Sequence, residues 1–184
     1  MNQNDFSHIS VLKNEAIEAL KIKPGGKYID ATIGGGGHTK EIIERGGIVL
    51  GIDQDEDAIS FVQKKFFGEK NLTLALGNFS DIKGLAARFG FEKVDGILFD
   101  LGLSSYQIDQ SGRGFSFKKD EILDMRMNKK SDLSALSIVN NWTKDELSTL
   151  FAKYGEDRNA VKIAEVIDAA RKIKPIERTT EPVS

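Results

Sequence analysis

The chain has 184 residues, 40% of them hydrophobic and 29% charged, with a formal net charge of −2. That balance is ordinary for a water-soluble fold of one domain or slightly more, with enough chain for one sizeable core. No stretch approaches the roughly 18 to 20 uninterrupted apolar residues of a membrane span, and Met1 to His8 is too polar for a signal peptide, so no membrane partner and a cytoplasmic location are expected. With no cysteine and only His8 and His38, the sequence lacks the clusters that build structural zinc sites, and no metal is expected.

In chain order, Leu12, Ala16 and Leu20 recur every four residues within Val11 to Ile22, the pattern of an amphipathic helix, and Pro24, Gly25 and Gly26 stop it. Tyr28 to His38 (Tyr-Ile-Asp-Ala-Thr-Ile-Gly-Gly-Gly-Gly-His) reads as a strand, a glycine loop and the opening of a helix that continues through Thr39 to Arg45 and ends at Gly46 and Gly47. Glycines at such a corner adopt positive φ and let a ligand lie against the amides that open the helix. Ile48 to Asp53 has the near-continuous apolar character of a strand buried on both faces, and it ends in an acid. Asp55 or Asp57 caps the next helix, whose apolar face is Ala58, Ile59, Val62 and Phe66. A third strand, Leu72 to Leu76, leads through Gly77, Asn78 and Phe79 to a helix from about Asp81 to Phe89. The fourth, Val94 to Asp100, again ends in an acid.

A helix followed by β-α-β-α-β-α-β with short crossovers predicts an α/β fold with a parallel sheet covered on both faces. After Asp100 the pattern changes. Leu101 to Phe117 is rich in Gly and Ser and runs on through Met127 without a period, too long for a passive connection. Three helices are then expected: Leu133 to Val139, Thr143 to Tyr154 with a Thr143–Glu146 capping box, and about Asn159 to Lys172 with Val161, Ala164, Ile167 and Ala170 inward. The expected division is thus a sheet domain over residues 1–112 and a loop and helical subdomain over 113–184. The first part carries 12 Lys+Arg against 16 Asp+Glu and the second 14 against 12. This fits a basic contact face on the later segment and equally fits ordinary solvated helices.

In such sheets ligands bind beyond the carboxyl ends of the strands, where strand order reverses. Asp30, Gly34 to Gly37, Asp53, the loop holding Phe79, and Asp100 all fall near those ends. Asp53, 19 residues beyond Gly34, is placed to accept both hydroxyls of an adenosine ribose. That spacing does not separate NAD from S-adenosylmethionine. Asp30 does: a carboxylate there repels a pyrophosphate but attracts an amino group or a sulfonium. The alternative is that Asp30 only caps a backbone turn.

The sequence resembles the bacterial ribosomal small-subunit RNA cytosine-N4 methyltransferases, the RsmH or MraW family. The resemblance rests on His8 to Leu12, Tyr28 to His38, Gly51 to Asp55, Gly77 to Phe79, Asp95 to Asp109, Arg113 to Phe117, Leu123 to Met127, Tyr154 to Arg158 and Arg178 to Glu181. It implies a class I, Rossmann-like sheet that binds S-adenosyl-L-methionine through Gly36, Gly37, His38, Asp53, Phe79, Asp100 and Gln107, and a small-ribosomal-subunit RNA substrate. Methyl transfer to a cytosine amine needs an acceptor for the departing proton. Asp100 is the carboxylate best placed for it, although the resemblance also puts Asp100 in the cofactor site. Arg113, Lys118, Lys119 and Arg126, with Lys129 and Lys130, are candidate phosphate contacts, and a solvated loop is the alternative for each. Members of the family run longer and finish the sheet with further strands. A shortened sheet is therefore expected here, with Val94, Ile97, Leu98 and Phe99 on an uncovered edge that favours self-association. The rival readings are a binding module that retains the adenosyl or RNA site without turnover, and a nucleotide-cofactor oxidoreductase.

Overall fold

The computed structural model describes residues 12–181. His8 to Val11, the start of the first motif and of the first predicted helix, lie outside them. The chain divides into two compact units, one ending at Tyr106 and the other starting at Gln107.

The first unit is built from α1 (Lys13–Leu20), β1 (Lys27–Asp30), α2 (Gly37–Glu44), β2 (Ile48–Asp53), α3 (Glu56–Lys65), β3 (Leu72–Leu76), a 3₁₀ turn (Phe79–Asp81), α4 (Ile82–Phe89) and β4 (Gly96–Leu98). The four strands are parallel in the order β3-β2-β1-β4. The chain therefore steps outward from β1 through β2 to β3, then crosses to the far side of β1. Strand order reverses between β1 and β4, and the crevice beyond their carboxyl ends is the position where such sheets hold ligands.

Alternation along the strands sorts the apolar residues onto two faces. Tyr28 and Val49, paired across β1 and β2, pack with Ile17 of α1 and Ile42 of α2. Their neighbours Ile29 and Leu50 face the other way and join Ala31, Ile52, Ala75, Leu85, Ala86 and Phe91. Full burial of each such aliphatic side chain contributes about 1.5–3 kcal/mol. Gly51 belongs to this packing too: a Cβ there would lie 2.2 Å from Cδ1 of Ile33, so the glycine leaves a notch in β2 that Ile33 fills.

Strands β2 and β3 keep their predicted ends, whereas β4 is shorter than the expected Val94 to Asp100. At its start the Asp95 carboxylate turns to accept the Lys27 amide at 3.1 Å and the Lys23 ammonium at 3.3 Å. At its end the backbone of β1 has already bent into the glycine loop, so the ladder runs out after the Ala31 amide donates to the Leu98 carbonyl at 2.9 Å.

The second unit contains α6 (Ala135–Asn141), α7 (Lys144–Gly155) and α8 (Ala160–Ile173), while a short helix that the sequence did not signal, α5 (Ser105–Asp109), spans the division. Its core is Leu123, Leu147, Ala164, Ile167 and Ile176. Capping boxes start α6 at Ser134 and α7 at Thr143, the latter as predicted. The long Gly/Ser-rich segment is clipped to the chain after α8: the Leu123 amide donates to the Glu177 carbonyl, the Thr179 amide to the Glu121 carbonyl, and Arg178 pairs with Asp120 at 2.8 Å.

Candidate active site

The glycine loop between β1 and α2 is fixed by its neighbours. Gly34 and Gly36 have φ of 48° and 72°, and Gly36 begins α2 without any side-chain cap. Two side chains hold the loop from outside it. Oδ2 of Asp53, at the end of β2, accepts the Gly34 amide at 3.0 Å, and its other oxygen accepts the Asp55 amide at 2.9 Å. Lys65, in the last turn of α3, donates from Nζ to the Gly35 carbonyl at 2.7 Å, between the rings of Phe61 and Phe66. The Phe66 ring also fills the space beside Gly36, where a Cβ would meet it at 2.8 Å.

Asp30 lies beneath the loop, 1% exposed. Its oxygens accept the Thr39 hydroxyl at 2.7 Å and the Thr32 amide at 3.3 Å. Burial pushes its carboxyl up to about 6, partly offset by the Thr39 hydrogen bond and the nearby His38. Burial also raises Asp53, against the backbone amides of Asp55, Gly34 and Gln54, which favour its ionised form. Asp30 thus has the turn-capping geometry that the sequence left open as an alternative, and any attraction it exerts on a cationic ligand acts as a field from below.

At the neighbouring strand end, Asp100 donates its amide to Oγ1 of Thr32 at 2.7 Å, and its carboxylate oxygen Oδ2 lies 3.9 Å from Nδ1 of His38. His38 is 5% exposed, and its Nε2 is buried with no hydrogen-bond partner among the described residues. Phe79, an exposed aromatic, packs edge-on against Phe99 with ring centroids 5.7 Å apart. One unit therefore gathers Asp30, Gly34, Gly36, Gly37, His38, Asp53, Phe79 and Asp100. Gln107 belongs to the second unit, where it is buried and accepts the Ser111 hydroxyl on its carbonyl.

Thr32, Thr39 and Lys65 were not anticipated. Thr32 and Thr39 flank the glycines and read as ordinary turn and helix residues; Lys65 reads as a cation at a helix carboxyl end. Their partners lie 68, 9 and 30 residues away, a closeness that only the folded sheet creates.

The candidate phosphate contacts divide by burial. Arg113 is 6% exposed, donates to the carbonyls of Arg126 and Met127 at 2.9 and 3.1 Å, and stacks over Phe115. Its guanidinium, offered by the sequence as a candidate phosphate contact, is engaged in holding the loop. Arg126 makes a two-pronged pair with Asp124 at 2.8 Å on each prong, holding that carboxyl below the usual range, and donates to the Ser131 carbonyl. Its charge is largely met within the loop. Lys118 and Lys119 are exposed, with the Lys119 ammonium donating to the Asp109 carbonyl.

Three relatives share the name ribosomal RNA small subunit methyltransferase H. The protein of Clostridium botulinum strain 657 is 44% identical over 182 residues, 97% of this chain and 59% of the relative. That of Clostridioides difficile strain 630 is 45% identical over 97% of this chain and 59% of its own length. That of Carboxydothermus hydrogenoformans is 45% identical over 96% and 58% respectively. The chain thus spans a little under three fifths of the length of the curated relatives it matches. Residues 5–184 match the model of the MraW methylase family, so both the sequence pattern and the extent of the match lead to one conclusion: the chain belongs to the MraW methylase family.

Proposed function

We propose that this chain binds S-adenosylmethionine at the β1–β4 crevice and serves methyl transfer to the N4 amine of a cytosine in small-subunit ribosomal RNA. The observation that carries this reading is the joining of Gly34 to Asp53 and of Thr32 to Asp100 around one glycine loop in a chain of this family. The residues suit an adenosyl ligand. Asp53 accepts the Gly34 and Asp55 amides on its two oxygens and the Gln54 amide besides, which still leaves the carboxylate lone-pair capacity for a ribose hydroxyl. The opening amides of α2 have no side-chain cap, and His38 Nε2 is a buried nitrogen that a polar ligand atom would complete.

When bound, the cofactor supplies a methyl group on a sulfonium, which an amine lone pair can accept while the sulfur leaves as a neutral thioether. A cytosine N4 lone pair is delocalised into the ring, so an acceptor that draws on its N–H raises its nucleophilicity. Cofactor contact is the first role assigned to Asp100. Accepting the N4 proton on its carboxylate, with His38 Nδ1 3.9 Å away, is the second. The substrate base must be unstacked to reach such a crevice, which is easiest in a single-stranded loop of folded RNA. Lys118 and Lys119 are assigned to its phosphates.

Calorimetry with S-adenosylhomocysteine and with NAD, followed by transfer of labelled methyl to isolated small ribosomal subunits, tests the reading. Binding of the former alone, with transfer, is expected. Binding without transfer would leave a cofactor- or RNA-binding module, and binding of NAD instead would make the chain an oxidoreductase. The double substitution Lys118→Glu and Lys119→Glu is expected to weaken RNA binding and to reduce the slope of log K against log salt by about 1.4–1.8. It should leave S-adenosylhomocysteine binding unchanged. An unaltered salt slope would remove both lysines from the RNA surface.

A further inference from the structure

The backbone of β1 changes partners within three residues. Ala31 still donates to β4, at the Leu98 carbonyl, whereas Ile33 donates to β2, at the Ile52 carbonyl, each at 2.9 Å. Thr32 is the pivot between them. Its own amide belongs to neither strand and turns down to Asp30 at 3.3 Å. What it offers β4 is its side chain: Oγ1 accepts the Asp100 amide at 2.7 Å, where a continuing strand would have used a main-chain carbonyl. Asp30, in turn, is tied to α2 by the Thr39 hydroxyl at 2.7 Å, so the pivot rests on a buried and fully engaged group.

We propose that Thr32 is a positioning residue for the methyl-transfer site: its hydroxyl acts as the last rung of the β1–β4 ladder and fixes the Asp100 backbone, and through it the direction of the Asp100 carboxylate. This rests on the adenosyl-site reading given above and adds a residue to it. Threonine suits the task because its branched Cβ restricts χ1 while the hydroxyl supplies the acceptor. Valine has the same shape without the acceptor; serine has the acceptor without the second branch. Removing the acceptor leaves the Asp100 amide without its partner, a loss that is large when the group is shielded from water.

The test compares the full chain with Thr32→Val and Thr32→Ser, below the melting transition of each. S-adenosylhomocysteine affinity, measured by calorimetry, is expected to fall about tenfold in Thr32→Val and to stay within about threefold in Thr32→Ser. Amide hydrogen exchange at Asp100 is expected to quicken at least about tenfold in the valine variant only. Wild-type affinity in Thr32→Val would overturn the proposal, as would equal losses in both variants, since the methyl packing and not the hydroxyl would then be responsible. Should the valine variant not fold, a serine variant that binds more than about threefold more weakly overturns it alone. Failure of the unaltered protein to bind S-adenosylhomocysteine is a separate result and sinks the cofactor reading itself.

Discussion

Asp30 sets the most direct test at the scale of a single residue. Its ordinary value of 3.8 is raised to about 6 by burial in the folded protein. The folded state therefore holds this proton more tightly than the unfolded chain does. The contribution is fully present below about pH 4 and is lost as pH rises through about 6, on the order of 3 kcal/mol in all. Asp30→Asn is expected to remove that slope, so the difference in melting temperature between variant and wild type should shift in favour of the variant from pH 4 to pH 7. A difference that stays flat over this range would show that Asp30 ionises freely. Arg113 carries the complementary lesson. Sequence reveals its charge and its place in a motif, but not that its guanidinium closes a loop by binding two carbonyls, because nothing local encodes a burial created by residues 13 and 14 positions away.

Among the elements, the glycine loop and the strands around it were the most legible. Ile48–Asp53 and Leu72–Leu76 fold as predicted because a short apolar run ended by an acid or a glycine leaves few other structures open. The early end of β4 was not legible: it depends on where β1 bends away, and Val94 to Asp100 looks uniform until that bend is known. The clip between Glu121 and Thr179 was hidden for a similar reason, since its hydrogen bonds join segments 58 residues apart. Within the loop, Gly36 is both left-handed and pressed against Phe66, while Gly68, with φ of 84°, has open space around its Cα. Gly36→Ala is expected to combine the strain of about 1–2 kcal/mol with a clash, lowering the melting temperature and weakening S-adenosylhomocysteine by more than tenfold. Gly68→Ala should show the strain alone and bind normally. Equal effects from the two would mean that the Phe66 contact is immaterial.

For the whole molecule, the outer side of β4 is one of the two edges of the sheet, β3 forming the other. β4 pairs only with β1 among the described residues, and Ile97 and Phe99 keep 43% and 47% of their surface in contact with solvent. Apolar strand edges of this kind recruit further strands. The chain is expected to self-associate through it, giving a sedimentation coefficient that grows with concentration in the micromolar range, and Ile97→Lys is expected to restore a monomer. A wild-type chain that stays monomeric at tens of micromolar would refute that. The crevice end of the same sheet has the opposite character. Ile33 sits in the notch left by Gly51, Asp53 holds the Gly34 amide and Lys65 the Gly35 carbonyl, so the loop is braced by contacts from the protein itself. Under the proposed function, a loop braced in this way leaves an adenosyl group little main chain to immobilise, so the entropy lost on association is expected to be mainly its own. Its observed association rate should then climb in proportion to its concentration, without the plateau that a loop closing after encounter would impose.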